Sequence, residues 1–253
     1  MDQVFQTIVI VSGAALLGWL AGMLVNYLAD ILPTNRKLTL AVCQSCNAPQ
    51  PAIRYLLWPG RCIHCDSQRS KRTWVVVFVF MLISIWLALN PPEGLGYFAW
   101  LIILIYFGLV WIIDQEHRLI LHITSAVGVV IGMIAGSLRL GLSATLFGGL
   151  VGFTLMLVLF LFGILFARVA GRVRGSTIQE AAMGFGDVLL GLIIGLLVGW
   201  PSILQSLFLT IVLAGGFSLI FIILMLIQRR YNLGTAFPYG PFMILGALIV
   251  LFL

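Results

Sequence analysis

Four cysteines form two pairs whose spacing is typical of a zinc site. Cys43 and Cys46 make the first Cys-x-x-Cys pair, and Cys62 and Cys65 make the second after fifteen intervening residues. Four thiolates at this spacing can surround one zinc ion tetrahedrally, whereas in a short secreted chain the same cysteines would form disulfides. A site closed by four thiolates leaves no position for water, so the expected zinc is structural. His64, inside the second pair, is an alternative ligand.

Two of the eight carboxylates occur where burial in a membrane is expected. Asp114 directly follows the apolar residues 111–113, and Asp187 follows Gly186 at the start of another apolar run. An ionisable group at membrane depth is costly and is a functional candidate by default. The alternatives are an interfacial residue at a helix end for Asp114 and a helix N-cap for Asp187. The other acidic residues are expected in loops, at helix ends or outside the membrane: Asp2, Asp30, Asp66, Glu93, Glu116 and Glu180.

Two carboxyl groups held together would have the chemistry of an aspartic peptidase. Neighbouring carboxylates cannot both ionise easily, so one proton is shared between them. One aspartate then accepts a proton from water while the other, protonated, polarises the peptide carbonyl. Gly184 and Gly186 fit this interpretation because a backbone without Cβ atoms lets a bound peptide approach closely. Asp114 and Asp187 are therefore the candidate catalytic residues, and the two glycines are candidate supporting residues.

Two further motifs place polar or rigid residues beside apolar runs. Gly18, Gly22 and Asn26 recur every four residues, which favours close helix packing with Asn26 as a polar contact. The sequence Pro-Tyr-Gly-Pro at 238–241 predicts a rigid turn before the last apolar run. The residues of these motifs that are candidates for supporting substrate binding, with packing as the alternative, are Asn26, Pro238, Gly240 and Pro241.

The composition defines the elements that must position these residues. Of the 253 residues, 62% are hydrophobic and 9% charged, against about 45–50% and about 25% in soluble domains. This balance excludes a soluble globular enzyme and predicts an all-α integral membrane protein. Eight apolar runs are long enough to span a membrane, approximately Thr7–Ala29, Thr73–Leu89, Tyr97–Ile113, Ile123–Leu138, Leu142–Ala167, Val188–Leu204, Ser206–Ile227 and Tyr239–Leu253.

The basic residues predict the orientation of these spans. With the N-terminus outside, 13 of the 14 Lys and Arg fall in four cytoplasmic segments, residues 30–72, 114–122, 168–187 and 228–238, and Arg139 alone falls outside. This distribution satisfies the positive-inside rule and accounts for the net charge of +6 without nucleic acid. Both aspartates and all four cysteines then face the reducing cytoplasm, where zinc binding is favoured over disulfides.

This topology predicts three parts of the chain. A first transmembrane helix occupies residues 1–30, and a seven-helix membrane core occupies residues 73–253. Between them, residues 31–72 form a small cytoplasmic domain that contains the four cysteines. A segment of this size cannot bury a sufficient core alone, so we expect zinc to hold it together.

The order of these motifs resembles the type IV prepilin peptidases, a family of membrane aspartic peptidases. The matching features are Asn26 and Pro33 in the first span, the cysteine pairs, Ile113-Asp114, the Gly-x-Gly-Asp signature at 184–187 after Glu180 and Met183, and the Pro-aromatic-Gly-Pro sequence at 238–241. By position, the family's catalytic pair falls on Asp114 and Asp187. The resemblance implies an enzyme of the cytoplasmic (inner) membrane. It would cut the short basic leader from type IV prepilin or pseudopilin precursors, after a glycine, at the cytoplasmic face.

The resemblance also implies a second activity in the bifunctional members, methylation of the new N-terminal amine with S-adenosylmethionine. Three positions depart from the family pattern. Leu121-His122 stands where the family usually has a second aspartate, eight residues after the first, in a Leu-Pro-Asp sequence. Leu189 stands where a lysine is common, and residues 74–77 stand where a glutamate is usual. The first two departures leave the two-aspartate mechanism intact. The third bears on methylation, so S-adenosylmethionine is an expected cofactor only if that activity is retained.

Two other classes of function fit a membrane composition. A non-enzymatic, zinc-stapled scaffold or assembly factor would need no catalytic pair, and a transporter would need polar groups at the membrane midplane and broken helices. The polar groups here gather at one edge, which favours the peptidase. The expected partners are pilin-like precursors and the lipid bilayer, and no nucleic acid.

Overall fold

The chain forms eight helices and one two-stranded sheet within the part that the structure describes. The structure, a computed structural model, describes residues 2–35, 41–43, 46, 48–51, 60–62, 64–174, 184–227 and 238–253. The helices are α1 (Asp2–Asn35), α2 (Lys71–Leu89), α3 (Tyr97–His117), α4 (His122–Leu140), α5 (Leu142–Arg174), α6 (Phe185–Val198), α7 (Ser202–Ile227) and α8 (Gly240–Phe252). Strands β1 (Ala41–Val42) and β2 (Pro49–Gln50) pair antiparallel, with Ala41 opposite Gln50. Glu180 and Met183, which contribute to the expected signature, lie outside the described residues.

Six of these helices are long and apolar enough to cross a membrane, which makes the chain a multi-pass membrane protein. They are α1 to α5 and α7. Helices α6 and α8 have 14 and 13 residues, so each is about 20 Å long, which is less than the hydrocarbon thickness of about 30 Å. Ten of the residues of α6 are buried, as is typical of an apolar helix enclosed by other helices. The expected all-helical membrane fold is confirmed, and the number of eight spans stays a prediction.

Two expected boundaries are wrong, for reasons that lie in the backbone. The apolar run Val188–Leu204 is divided, because α6 ends at Val198 and α7 begins at Ser202. Gly199 ends α6 with φ +75°, and the proline at 201 cannot continue a helix. The expected turn at 238–241 is shorter than predicted, because Gly240 already begins α8 and Pro241 lies in its first turn. Proline is well suited to that position, where its missing N–H breaks no helical hydrogen bond.

The residues up to Ile113 form one compact unit, in which α1 packs closely on α2. Gly18 and Gly22 permit this approach. A Cβ atom on Gly18 would lie 2.6 Å from Phe80 O, and a Cβ atom on Gly22 would lie 2.7 Å from Val77 Cα. Asn26, on the same face, is fully buried. The packing role expected of this face is therefore observed.

The residues from Asp114 onward form the second unit, which is arranged around α6. Helix α6 packs against α4, α5, α7 and α8. Glycines bring the backbones of α5 and α6 together: a Cβ atom on Gly152 would overlap Gly191 O, and one on Gly195 would overlap Gly148 O. This contact fixes α6 against α5, and it thereby fixes the first turn of α6, which contains Asp187. The boundary between the two units falls within α3, and the expected three-part division of the chain stays a prediction.

Candidate active site

Asp114 lies in the last turn of α3, with its carboxyl group turned into the second unit. The residue is 5% exposed. Its Oδ2 atom accepts a hydrogen bond of 3.1 Å from the backbone N–H of Gly240, at the start of α8. Its own carbonyl oxygen accepts from the N–H of Arg118, which ends α3 with a left-handed backbone, φ +52°. The position of Asp114 therefore depends on two elements, the end of α3 and the beginning of α8.

Asp187 lies in the first turn of α6 and is also buried, with 8% exposed. Its Oδ2 atom accepts a hydrogen bond of 3.1 Å from the N–H of Gly184, three residues before it. The N-cap of α6 is Gly184 and Asp187 is at position N3, so the N-cap alternative for Asp187 is wrong, and the contact is the bond that an N3 carboxylate makes back to the N-cap N–H. The capping contact and a catalytic role are compatible, because it occupies one carboxylate oxygen of the two.

The two signature glycines beside Asp187 have different surroundings. Gly184 is exposed, and a Cβ atom there would lie 3.8 Å from its nearest neighbour, Asp187 Oδ2. Gly186 instead packs on the α3–α4 connection, because a Cβ atom there would lie 2.6 Å from Ile120 Cβ. Gly186 is thus explained by packing within the second unit, and Gly184 leaves open backbone beside a carboxylate. The approach of a peptide to either glycine stays a prediction.

A tyrosine that the sequence analysis did not single out completes this group. Tyr239 is half-buried and precedes Gly240, which bonds to Asp114. Its phenol lies near the carboxyl group of Asp187 and can donate a hydrogen bond. Its position inside the 238–241 motif was visible in the sequence, but its proximity to Asp187 depends on the folding of α8 against α6.

The two aspartates are close enough for their charges to interact. The negative charge of Asp114 acts on the carboxyl group of Asp187. Two buried carboxyl groups that repel each other when both are ionised favour a state in which one of them holds a proton. Such a pair can accept a proton from one group and donate a proton to another, which is general acid–base chemistry.

The remaining candidate residues divide between the two units. Pro238, Gly240 and Pro241 are at or beside the start of α8, in the second unit with both aspartates. Asn26 belongs to the first unit, where its Nδ2 atom donates to Gly22 O at 2.8 Å and to Thr73 O at 3.3 Å. The Oδ1 atom of Asn26 is buried and accepts no hydrogen bond from the described residues.

The four cysteines form a cluster of the size that a zinc ion requires. All four sulfur atoms lie within 4.8 Å of one another. The separations are 3.7 Å between Cys43 and Cys65 and 3.6 Å between Cys46 and Cys62. A tetrahedral zinc site with bonds of about 2.3 Å places its sulfur atoms about 3.8 Å apart, whereas a disulfide bond is about 2.05 Å long. A four-cysteine cluster able to bind a metal such as zinc is therefore confirmed.

The backbone around the second cysteine pair prepares one sulfur for a metal. Hydrogen bonds from the backbone N–H groups of His64 and then Cys65 lower the pKa of Cys62 to about 6. The pKa of Cys65 is raised to about 12 and that of Cys46 is also raised, because burial and the neighbouring thiols oppose their ionisation. Metal binding requires deprotonated thiols, so a bound cation would have to offset this mutual repulsion. The turns of the two pairs are alike: Cys43 N–H donates to Ala48 O and Cys62 N–H donates to Ser67 O, each at 3.0 Å.

Comparison with known proteins identifies the segment that contains both aspartates. Residues 98–220 match the profile of the type IV leader peptidase family, a match that includes Asp114 and Asp187. It covers 123 of the 253 residues and excludes the four cysteines and α8. No match was found among curated proteins or among solved structures. The match supports the type IV prepilin peptidase family expected from the motifs, and it supports a peptidase.

Proposed function

Because the segment 98–220 belongs to the type IV leader peptidase family, we propose that this chain is a membrane aspartic endopeptidase. Its substrates are type IV prepilin or pseudopilin precursors, from which it removes the short basic leader. Asp114 and Asp187 are its catalytic residues. The observation that carries the proposal is the burial of two carboxyl groups, at the end of α3 and the start of α6, inside the segment that matches the family.

The reaction needs one ionised and one protonated carboxyl group. The ionised aspartate accepts a proton from a water molecule as the water oxygen attacks the peptide carbonyl carbon. The protonated aspartate donates a hydrogen bond to the carbonyl oxygen, on which negative charge develops. When the C–N bond breaks, a proton passes to the leaving nitrogen, and the products are a carboxyl group and a new N-terminal amine.

The surroundings of the pair supply ways to hold a peptide. The exposed backbone of Gly184 lies beside Asp187, where an extended peptide has room to approach. The phenol of Tyr239, near Asp187, is a hydrogen-bond donor for the substrate carbonyl. Pro238 and Pro241 stiffen the chain around this tyrosine.

The proposal includes a membrane arrangement. The chain crosses the cytoplasmic membrane with its N-terminus outside, α6 and α8 complete a set of eight spans, and both aspartates and the cysteine cluster face the cytoplasm. Zinc bound by Cys43, Cys46, Cys62 and Cys65 holds the loop together. Methylation of the new amine with S-adenosylmethionine follows in this proposal from the resemblance alone.

A non-enzymatic scaffold is the second candidate, and the cysteine cluster is the observation that favours it. A cluster closed by four thiolates has no position for water or substrate, so its role is structural, which is the role that a scaffold needs. The scaffold makes no use of the aspartate pair, so replacement of either aspartate distinguishes the two functions.

Cleavage by the purified protein in detergent tests the proposal. The substrates are a panel of pilin-like precursors with a short basic leader ending in glycine, and the products are separated by mass. We expect Asp114→Asn and Asp187→Asn each to lower the cleavage rate by at least about 100-fold, the scale on which general acid–base groups contribute. The amide has nearly the same shape as the carboxyl group, but it can neither accept nor supply the proton.

Glu93→Gln is the matched control, because it makes the same carboxyl-to-amide change at an exposed residue in the α2–α3 connection. This variant is expected to cleave at the wild-type rate. Full activity of either aspartate variant would overturn the assignment. Failure of the wild-type protein to cleave any precursor of the panel would favour the scaffold.

A further inference from the structure

The first turn of α8 has one backbone N–H that is directed away from its own helix and onto a carboxylate. Pro241 has no N–H, and the N–H groups of Phe242 and Met243 donate to Tyr239 O at 3.1 and 3.3 Å. The N–H of Gly240 instead donates to Asp114 Oδ2, which is 126 positions away in the sequence. The contact therefore joins the start of α8 to the end of α3.

Asp114 is the residue that a side chain at position 240 would meet first. A Cβ atom at this position would lie 2.6 Å from Asp114 Oδ2, 3.2 Å from its Cγ and 3.7 Å from its Cβ. These are its three nearest heavy atoms. The backbone of Gly240 is helical and its φ is not in the left-handed region, so backbone conformation does not call for glycine.

The second aspartate is held in a different way. Asp187 Oδ2 accepts from Gly184 N–H within the same helix start, and Gly184 has room for a Cβ atom. The position of Asp187 is thus a local property of α6. The position of Asp114 depends on where α8 begins.

We propose that Gly240 is a positioning residue for Asp114. Its N–H holds one oxygen of the carboxylate, and its missing side chain leaves the carboxyl group the space it occupies beside α8. The other oxygen, Oδ1, remains available for proton transfer. This role deepens the proposed peptidase function and rests on it for the catalytic consequence. The contact itself holds whatever the chain catalyses.

The catalytic consequence is tested with Gly240→Ala in the precursor cleavage assay. The added Cβ atom would lie 2.6 Å from Asp114 Oδ2, so the carboxyl group must move, and a misplacement of about 1 Å can lower rates by about 100-fold. We expect kcat to fall on that scale with KM little changed. Gly215→Ala is the matched control, because a Cβ atom at that position of α7 meets no atom within 4 Å. A kcat for Gly240→Ala close to the wild-type value would overturn the proposal.

A thermal-stability cycle separates positioning from a general effect on folding. It compares the wild type, Gly240→Ala, Asp114→Ala and the double variant by apparent Tm in detergent. Replacement of Asp114 by alanine removes the two atoms with which the new Cβ atom collides and leaves the third at 3.7 Å. We expect Gly240→Ala to lower Tm in the wild-type background and to have little effect in the Asp114→Ala background.

The outcomes of the two assays are distinguishable. Equal losses of Tm in both backgrounds would overturn the positioning role, because they would place the clash elsewhere. Folding of the double variant when Gly240→Ala alone fails to fold would support it. Full cleavage by Asp114→Asn would overturn the peptidase assignment while the stability cycle still reports whether Gly240 and Asp114 are in contact.

Discussion

The buried aspartates are costly residues for a structure to keep. Asp114 and Asp187 are 5% and 8% exposed, and among the described residues each carboxyl group accepts one hydrogen bond, from a glycine N–H. Burying a carboxylate costs free energy unless its oxygens are well bonded or paired with a cation. An amide would satisfy the same glycine N–H groups at lower cost. The presence of carboxyl groups at these two positions is what the proposed proton transfer requires.

Loss of one thiol should empty the cysteine cluster. The pKa of the Cys62 thiol is lowered to about 6. Cys62→Ser puts a hydroxyl, which binds zinc poorly, in place of this thiol. We expect the purified variant to lose its stoichiometric zinc, as measured by elemental analysis. His64→Ala is the control, because it changes the neighbouring residue without removing a member of the four-sulfur cluster. Stoichiometric metal in Cys62→Ser would contradict a four-thiolate site, and loss of metal in His64→Ala would make His64 a ligand.

The sequence was informative for residues whose signal is local. Asp114 stands out because it directly follows an apolar run, and the cysteines stand out by their spacing. The bond from Gly240 to Asp114 spans 126 positions, so no local pattern contains it. The reason for Gly186 was also hidden, because its neighbour Ile120 belongs to another element.

At the scale of elements, the position of the candidate site depends on the contact between α5 and α6. Glycines at 148 and 152 of α5 face glycines at 191 and 195 of α6, with backbone against backbone. Small residues permit this approach, and in lipid it is van der Waals packing that holds such helices together. Because Asp187 lies in the first turn of α6, any separation of the two helices would displace it.

Gly195→Ala should destabilise the second unit. The added Cβ atom would overlap Gly148 O, so α5 and α6 would have to separate. Overpacking of this kind costs about 1–3 kcal/mol, and we expect a lower apparent Tm in detergent. Gly163→Ala is the control on α5, because a Cβ atom there meets nothing within 4 Å, and alanine favours a helix. An unchanged Tm for Gly195→Ala would contradict direct contact of the two backbones.

Hydropathy predicted the helices better than it predicted their ends. Apolar runs anticipated all eight helices of the described residues, because burial in lipid or protein selects apolar residues along each one. The end of α6 was missed since Trp200, which is apolar, follows Gly199 and continues the hydrophobic run through the break. Backbone conformation, which hydropathy does not report, determines that boundary.

At the scale of the whole molecule, the membrane helices carry the exposed apolar side chains, and most of the basic residues lie in the segments that connect these helices. The described membrane helices expose many large apolar side chains, such as Phe162 at 65% and Ile227 at 73%, as is expected of a surface that faces lipid. With 9% of residues charged, the few basic side chains have a strong influence on topology. All but one of the Lys and Arg lie in the segments that the proposed orientation places in the cytoplasm.

The proposed orientation predicts which loops a membrane-impermeant maleimide can reach. We expect Glu93→Cys, in the α2–α3 connection, to be labelled in right-side-out membranes, and Leu119→Cys, in the α3–α4 connection, to be labelled only after the membrane is opened. Both positions are exposed, so access to the thiol depends on the side of the membrane and not on burial. The unaltered protein is the control for its own four cysteines, which this orientation places inside.

Labelling of Leu119→Cys but not Glu93→Cys in sealed membranes would reverse the orientation. The reversed orientation would also place Asp114, five residues before Leu119, outside the cell. The leader of a precursor is on the cytoplasmic side of the membrane in the proposed reaction, so it could not reach Asp114. The peptidase proposal therefore requires this result as well as the chemistry of the two aspartates.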